Sequence, residues 1–201
     1  MRYGLIWQSM ASSARRVSAV SDRRSKALHE DQANLPVLAR FALHGLVAQL
    51  RSIEVDIEKI EAEILKWHRT NETSRRLATI PGIGPITASA IAASVPDASL
   101  FRSGRQFAAW LGLTPKSHSS GGTERQVGIS KQGDGYLRRL LVIGATAVLR
   151  FARQNNPGKV WAARLLERKR PKVVAVALAN KTARIASALM VRGATYAVPA
   201  A

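Results

Sequence analysis

The 201-residue chain carries 31 Lys and Arg against 13 Asp and Glu, a formal charge of +18 and a pI near 11.5. That length allows one sizeable core, or one domain with a helical arm, and rules out a small disulfide-stapled fold; the absence of cysteine excludes thiol nucleophiles, disulfides and zinc fingers. An enzyme with a small neutral substrate has no physical reason to hold so much positive charge, so a polyanionic partner is the leading inference, while 46% apolar content marks a folded chain and not a basic tail.

No run of about 18 uncharged apolar residues occurs, and residues 1–10 are too polar around Gln8 and Ser9 for a secretory signal. The expectation is a protein with no membrane association. From Asn71 onward there are 20 basic and 5 acidic residues, against 5 and 6 in residues 31–70, so the positive field belongs mainly to the later part.

Residues 1–36 lack a sustained period and read as a poorly specified segment, with one short helix over 15–28. Residues 37–70 then place Leu43, Leu46, Leu50, Ile53, Ile57, Ile60, Ile64 and Trp67 at 3-4-3-4-3-4-3 spacing, a heptad seam flanked by Glu54, Asp56, Glu58, Lys59, Glu61 and Glu63. Such a helix either lies on its own domain or joins protomers as a coiled coil, and a homo-oligomer is the working expectation. Residues 71–201 form a further helical domain, with helices predicted over 75–80, 87–94, 104–111, 135–154 and 173–191 and a long Gly/Ser/Thr/Pro loop over 112–128. No alternating strand pattern is found. The fold class is therefore all-α: a long coiled-coil helix followed by a helical domain.

Ile80-Pro-Gly-Ile-Gly-Pro, between two apolar segments, has the form of a helix-hairpin-helix. Gly82 and Gly84 would permit positive φ and a close backbone approach, so Gly82, Ile83 and Gly84 are candidate contacts to a DNA phosphate at a helix start, next to Arg75 and Arg76. The alternative is a Pro-Gly turn between core helices. In the loop, Ser119 and Ser120 precede Gly121-Gly122, and Arg125, Lys131, Arg138 and Arg139 follow. A hydroxyl beside guanidinium and ammonium groups can attack a phosphodiester while the cations hold its non-bridging oxygens, although flexible surface loops use the same residues and only His118 offers a general base.

Of the remaining residues, Phe107, Trp110 and Leu111 fall at helical spacing and read as core. Arg164, Arg168, Lys169, Arg170 and Lys172 read as phosphate contacts, and Asp134 reads as a helix cap. His29, His44 and His68 lack partners at metal-ligand spacing, and no metal site is assigned.

Gly104-Arg-Gln-Phe-Ala-Ala-Trp-Leu-Gly-Leu-Thr-Pro, Ser120-Gly-Gly, Gly128-Ile-Ser-Lys-Gln-Gly-Asp, Tyr136-Leu-Arg-Arg-Leu-Leu and Ala177-Leu-Ala-Asn-Lys occur in this order. Together they resemble the C-terminal domain of the IS-one-ten family of insertion-sequence transposases, or bridge-RNA-guided recombinases, related to the Piv/MooV DNA invertases. The resemblance implies that Ser120, five residues after Pro115, attacks DNA to give a phosphoserine-linked intermediate. It also implies a RuvC-like acidic domain before Tyr3-Gly4, completing the active site across the coiled coil with divalent metal, Mg in the first instance.

Asp22, Glu30 and Asp31 do not fit that acidic set, so the chain reads as a truncated family member with no cofactor of its own. The implied partners are DNA and a guide RNA, and the implied location is the bacterial cytoplasm, on the nucleoid. The alternative is a basic DNA- or guide-RNA-binding remnant without chemistry.

Overall fold

The computed structural model describes residues 36–120, 123–152 and 160–197. The helix expected over 15–28 and the Gly121-Gly122 pair lie outside the described residues. The chain divides into two units, Met1–Glu63 and Ile64–Ala201.

Helix α1 (Val37–Thr70) begins in the first unit and ends in the second, with His68 and Arg69 in its last turn, where cations complement the helix dipole. None of its residues is buried: in the first unit Leu46, Leu50, Ile53, Ile57 and Ile60 all stay exposed, Leu46 by 61% and Ile60 by 60%. The seam read from the heptads is therefore an open apolar stripe.

The second unit is helical. After α1 come α2 (Glu72–Leu77), α3 (Pro85–Ser94), a 3-10 turn (Ala98–Leu100), α4 (Gly104–Trp110), strands β1 (Pro115–Ser120) and β2 (Thr123–Ile129), α5 (Gly135–Ala152), α6 (Val160–Arg168) and α7 (Pro171–Arg192). The local sequence sets most boundaries. Asn71 caps α2 by accepting from the Ser74 amide (2.8 Å), Ser103 caps α4, and Asp134 caps α5 by accepting from Tyr136 and Leu137 amides at 2.8 and 2.9 Å. Gly193, at φ 62°, ends α7 in the left-handed conformation.

Two readings are corrected. The stretch read as a loop holds an antiparallel hairpin, pairing Lys116 with Val127, His118 with Arg125 and Ser120 with Thr123. Its residues are mostly polar, with Val127 and Ile129 only at the end of β2, so no apolar alternation reveals the strands; backbone pairing forms them, with Gly128 (φ 54°) at the irregularity beside Pro115 and Lys116. Helix α6 was not expected, because only Ala162 with half-buried Leu165 and Leu166 marks its inner side.

The core is built around α7. Its buried residues Ala175, Ala179, Ala183, Ala186 and Ser187 make a small-residue face, which lets α4 and α5 approach closely. Around it lie Leu77, Ile80, Ile83, Ile91, Phe107, Leu111, Leu137 and Leu141, all essentially inaccessible. Each such side chain contributes roughly 1.5–3 kcal/mol by leaving water. By length and hydropathy α7 could also cross a membrane, but nearly half of that apolar window is buried inside the second unit, as in a core helix. Trp110, read as core, is 39% exposed; its ring is stacked with Phe107 (5.8 Å between centroids) and tilted against Phe101 (5.5 Å).

One buried polar cluster joins the end of α1 to α2 and α3. His68 Nδ1 lies 2.7 Å from Ser74 Oγ, which lies 3.3 Å from Ser89 Oγ. Burial, with Arg75 and Arg69 nearby, holds the His68 pKa below its ordinary value of 6.5.

Packing and charge give three expected outcomes. A Cβ on Gly144 of α5 would collide with the Gly82 carbonyl oxygen, so Gly144→Ala should cost about 2–3 kcal/mol in urea unfolding. Gly45→Ala in α1, with nothing near its Cβ, should add up to about 1 kcal/mol to the helix. Because the folded chain favours neutral His68, stability is complete above pH 6.5 and is lost as pH falls through the lower folded pKa. Denaturation midpoints should fall over that window, and His68→Gln should flatten the dependence.

Candidate functional site

The hairpin is held at its base by a knot of backbone contacts. Downstream of α4, Gly112 takes φ 68° and Leu113 donates its amide to Ala108 O at 3.0 Å, turning the chain from the helix into β1. On the return strand, Ser130 donates to Thr114 O (2.9 Å) and Lys131 to Gly112 O (3.2 Å). Lys131 adopts φ 57°, the left-handed region that a residue with a Cβ enters only when its surroundings impose it. Gly133, at φ 92°, brings the 130–134 loop so close to Trp110 that a Cβ would collide with the Trp110 carbonyl oxygen. A Cβ on Gly112 would meet the Gln132 carbonyl in the same way. Glycine is required at both positions by space as well as by φ.

Two side chains complete the knot. Arg138, half-buried on the first turn of α5, donates from Nη1 to Leu111 O at 2.9 Å, with Gln132 O at 3.5 Å. Asn180 on α7 donates from Nδ2 to Leu113 O at 3.1 Å. These bonds tie α4, the two strand ends, α5 and α7 together.

The predicted site residues distribute as follows. Ser120 is the last residue of β1, at the hairpin tip, paired with Thr123, and Arg125 pairs with His118 two positions down the ladder. Lys131 and Arg139 are exposed, Lys131 at the hairpin base and Arg139 on α5. Arg138, predicted to grip phosphate, has one nitrogen committed to the protein backbone. Arg164, Arg168, Lys169, Arg170 and Lys172 are all exposed on α6 and the start of α7.

The Pro-Gly turn serves the interior. Gly82 takes φ 90° and packs against Gly144, and the Ile83 side chain is buried in the core. Gly84 has φ −90° and acts as the N-cap of α3, so the positive φ expected there is absent. Pro85 at the first helical position needs no amide partner. Arg76 is paired with Glu72, and Arg75 is exposed.

Asn180 stands in the Ala177-Leu-Ala-Asn-Lys segment, where sequence reasoning gives it no role. An amide in the middle of an alanine-rich helix is a signal that could have singled it out, since a buried amide requires a partner. Among the described residues no group of three or more His, Asp or Glu side chains is placed to hold a metal ion. The divalent metal implied by the resemblance therefore finds no fitting ligand set there.

Comparison with known proteins places these features. Residues 74–159 match the sequence model described as the Transposase IS116/IS110/IS902 family. The chain is 48% identical over 167 residues to the "Probable family 20 transposase" of Pseudomonas aeruginosa, covering 83% of this chain and 49% of that one. It is 36% identical over 194 residues to the transposase for insertion sequence element IS1111A of Coxiella burnetii, covering 96% and 53%. It is 44% identical over 141 residues to the transposase for IS1328 of Yersinia enterocolitica, covering 70% and 42%. The chain thus spans about half the length of the curated relatives it matches.

The knot at the hairpin base generates a prediction of its own. Arg138→Leu should leave the Leu111 carbonyl without its charged donor, a loss of about 1.5–3 kcal/mol. Hydrogen exchange at the Leu113 and Lys131 amides should then accelerate about tenfold or more, whereas Arg139→Leu should leave both rates unchanged.

Proposed function

Because the chain carries a domain of the Transposase IS116/IS110/IS902 family, we propose that it is the serine-bearing part of a DNA transposase or site-specific recombinase, with Ser120 as nucleophile. The observation that carries this reading is the position of Ser120 at the tip of a hairpin whose base is tied to three helices. A tip can enter a groove of DNA while the base keeps its register.

In the reaction, the Ser120 hydroxyl attacks a phosphodiester phosphorus. A serine Oγ–P bond forms, the P–O bond to one deoxyribose oxygen breaks, the serine proton is released to a base and the leaving sugar oxygen takes up a proton. One phosphodiester replaces another, so the bond energy is retained for rejoining without a nucleotide cofactor. Arg125, Lys131 and Arg139 supply the positive field for the pentacoordinate phosphorus, and Arg138 acts first by fixing the loop that carries Lys131.

The exposed stripe on α1 joins copies of the chain, which the exposure of Leu46, Ile53 and Ile60 favours. DNA is the substrate, and a guide RNA selects the target.

A second reading, a module that binds DNA or guide RNA without chemistry, is favoured by one observation: Arg164, Arg168, Lys169, Arg170 and Lys172 are all exposed on α6 and the start of α7, away from the serine. In the recombinase reading the metal-binding carboxylates come from a separate acidic domain.

The test is covalent trapping. The chain is mixed with nicked duplex DNA and the acidic domain of a longer relative in trans, and protein-linked DNA is resolved on a denaturing gel. Ser120→Ala should abolish the adduct and leave duplex affinity within about twofold. An adduct that survives the substitution overturns the assignment. Steeply salt-dependent binding with no adduct under any metal condition supports the binding module instead.

A further inference from the structure

Beside the hairpin base lies a groove of about 1590 Å³, of whose lining the proposed chemistry uses only Lys131. Its floor is apolar, formed by Leu113 and by Val176, Ile185 and Ala188 on α7. Its ionisable lining residues are Arg105, Lys131, Lys172, Lys181 and Arg184, and no acidic residue is among the lining. All five basic side chains are exposed. Trp161 of α6 stands in the wall, 42% exposed, with Lys181 Nζ 4.8 Å from the centroid of its ring.

This combination selects one kind of occupant. A duplex presents phosphates and sugars to a surface and hides the faces of its bases, so it would use the cations and leave the apolar floor and the indole without a partner. An unpaired strand offers both chemistries at once, phosphates for the cations and base faces for apolar and aromatic surface. An acidic peptide helix would match the charge, but it has no requirement for an aromatic ring set among cations.

We propose that this groove holds an unpaired DNA strand, with phosphates on Arg105, Lys172 and Arg184 and a base stacked on Trp161, whose ring is oriented by Lys181. The inference rests on the reading of the chain as a DNA-acting protein and adds a specific site for single-stranded substrate. Lys131 borders both the groove and the hairpin base, so a strand in the groove leads towards β1 and Ser120.

The experiment measures affinity of the full chain for three labelled probes of one mixed sequence: a DNA strand of about 15 nucleotides, the same strand annealed to its complement, and the RNA strand. Trp161→Ala should weaken the DNA strand about tenfold and change duplex affinity less than twofold, while Trp161→Phe should keep the strand within about threefold of the original. The double substitution Lys172→Ser and Arg184→Ser should reduce the salt slope for the strand by about 1.4.

An equal loss on strand and duplex, or no loss on either, overturns the groove assignment. So does a wild-type chain that binds duplex but not the strand, an outcome that leaves the reading of Ser120 intact. Preference for RNA over the DNA strand by tenfold overturns the choice of DNA. A fall in oligomer mass on Trp161→Ala in sedimentation, without loss of strand binding, gives the groove to a second copy of the chain. Failure of the wild type to bind any probe overturns both the groove and the DNA reading beneath it.

Discussion

The second unit depends on backbone approaching backbone where no side chain intervenes. Gly82 meets Gly144, Gly133 meets the Trp110 carbonyl, Gly112 meets Gln132, and Gly104 meets the backbone of Arg184. At each point a single Cβ would force helices or loops apart. The four contacts fasten the Pro-Gly turn to α5, the 130–134 loop to the end of α4, the hairpin entry to its exit, and α4 to α7. The alanine face of α7 extends the same rule along a whole helix. Close packing of this kind leaves little room for adjustment, which is how a small helical unit can hold a polar hairpin in one register.

That rigidity is placed where the proposed chemistry needs it. The strands offer few apolar anchors, Pro115, Val127 and Ile129, of which Ile129 packs against the core at the hairpin base. Two side-chain bonds to main-chain carbonyls, from Arg138 to Leu111 and from Asn180 to Leu113, add to that anchor. Arg138 illustrates how a basic residue near a phosphate site can act on the protein before it acts on the substrate. A guanidinium has five donors in a fixed fork, so one can hold a loop while others remain available.

The surface divides its charge and its apolar area in a consistent way. The heptad helix carries an exposed apolar stripe with acids on its flanks, suited to another helix. The second unit carries most of the positive charge, exposed on α5, α6 and α7 and around the groove by the hairpin base. A single-sign field over this region suits a polyanion at long range, and in the proposed groove the apolar floor with Trp161 would distinguish among polyanions by contact.

Much of this was legible in the residues. The 3-4 spacing of Leu43 to Trp67 predicted α1, alanine-rich apolar runs predicted α3 and α7, and Asp134 announced the start of α5. These features are local: a helix period or a cap depends on neighbours in the chain. The hairpin, helix α6, the exposure of Trp110, the inward use of Gly82 and Ile83 and the tethering of Arg138 were decided only by tertiary structure. Each depends on a partner distant in sequence, such as Gly144 for Gly82, Leu111 for Arg138 and Leu113 for Asn180. Residue type alone cannot say whether a glycine or an arginine faces another part of the same chain or a ligand, because both surfaces offer the same backbone oxygens or phosphate-like charge to meet it.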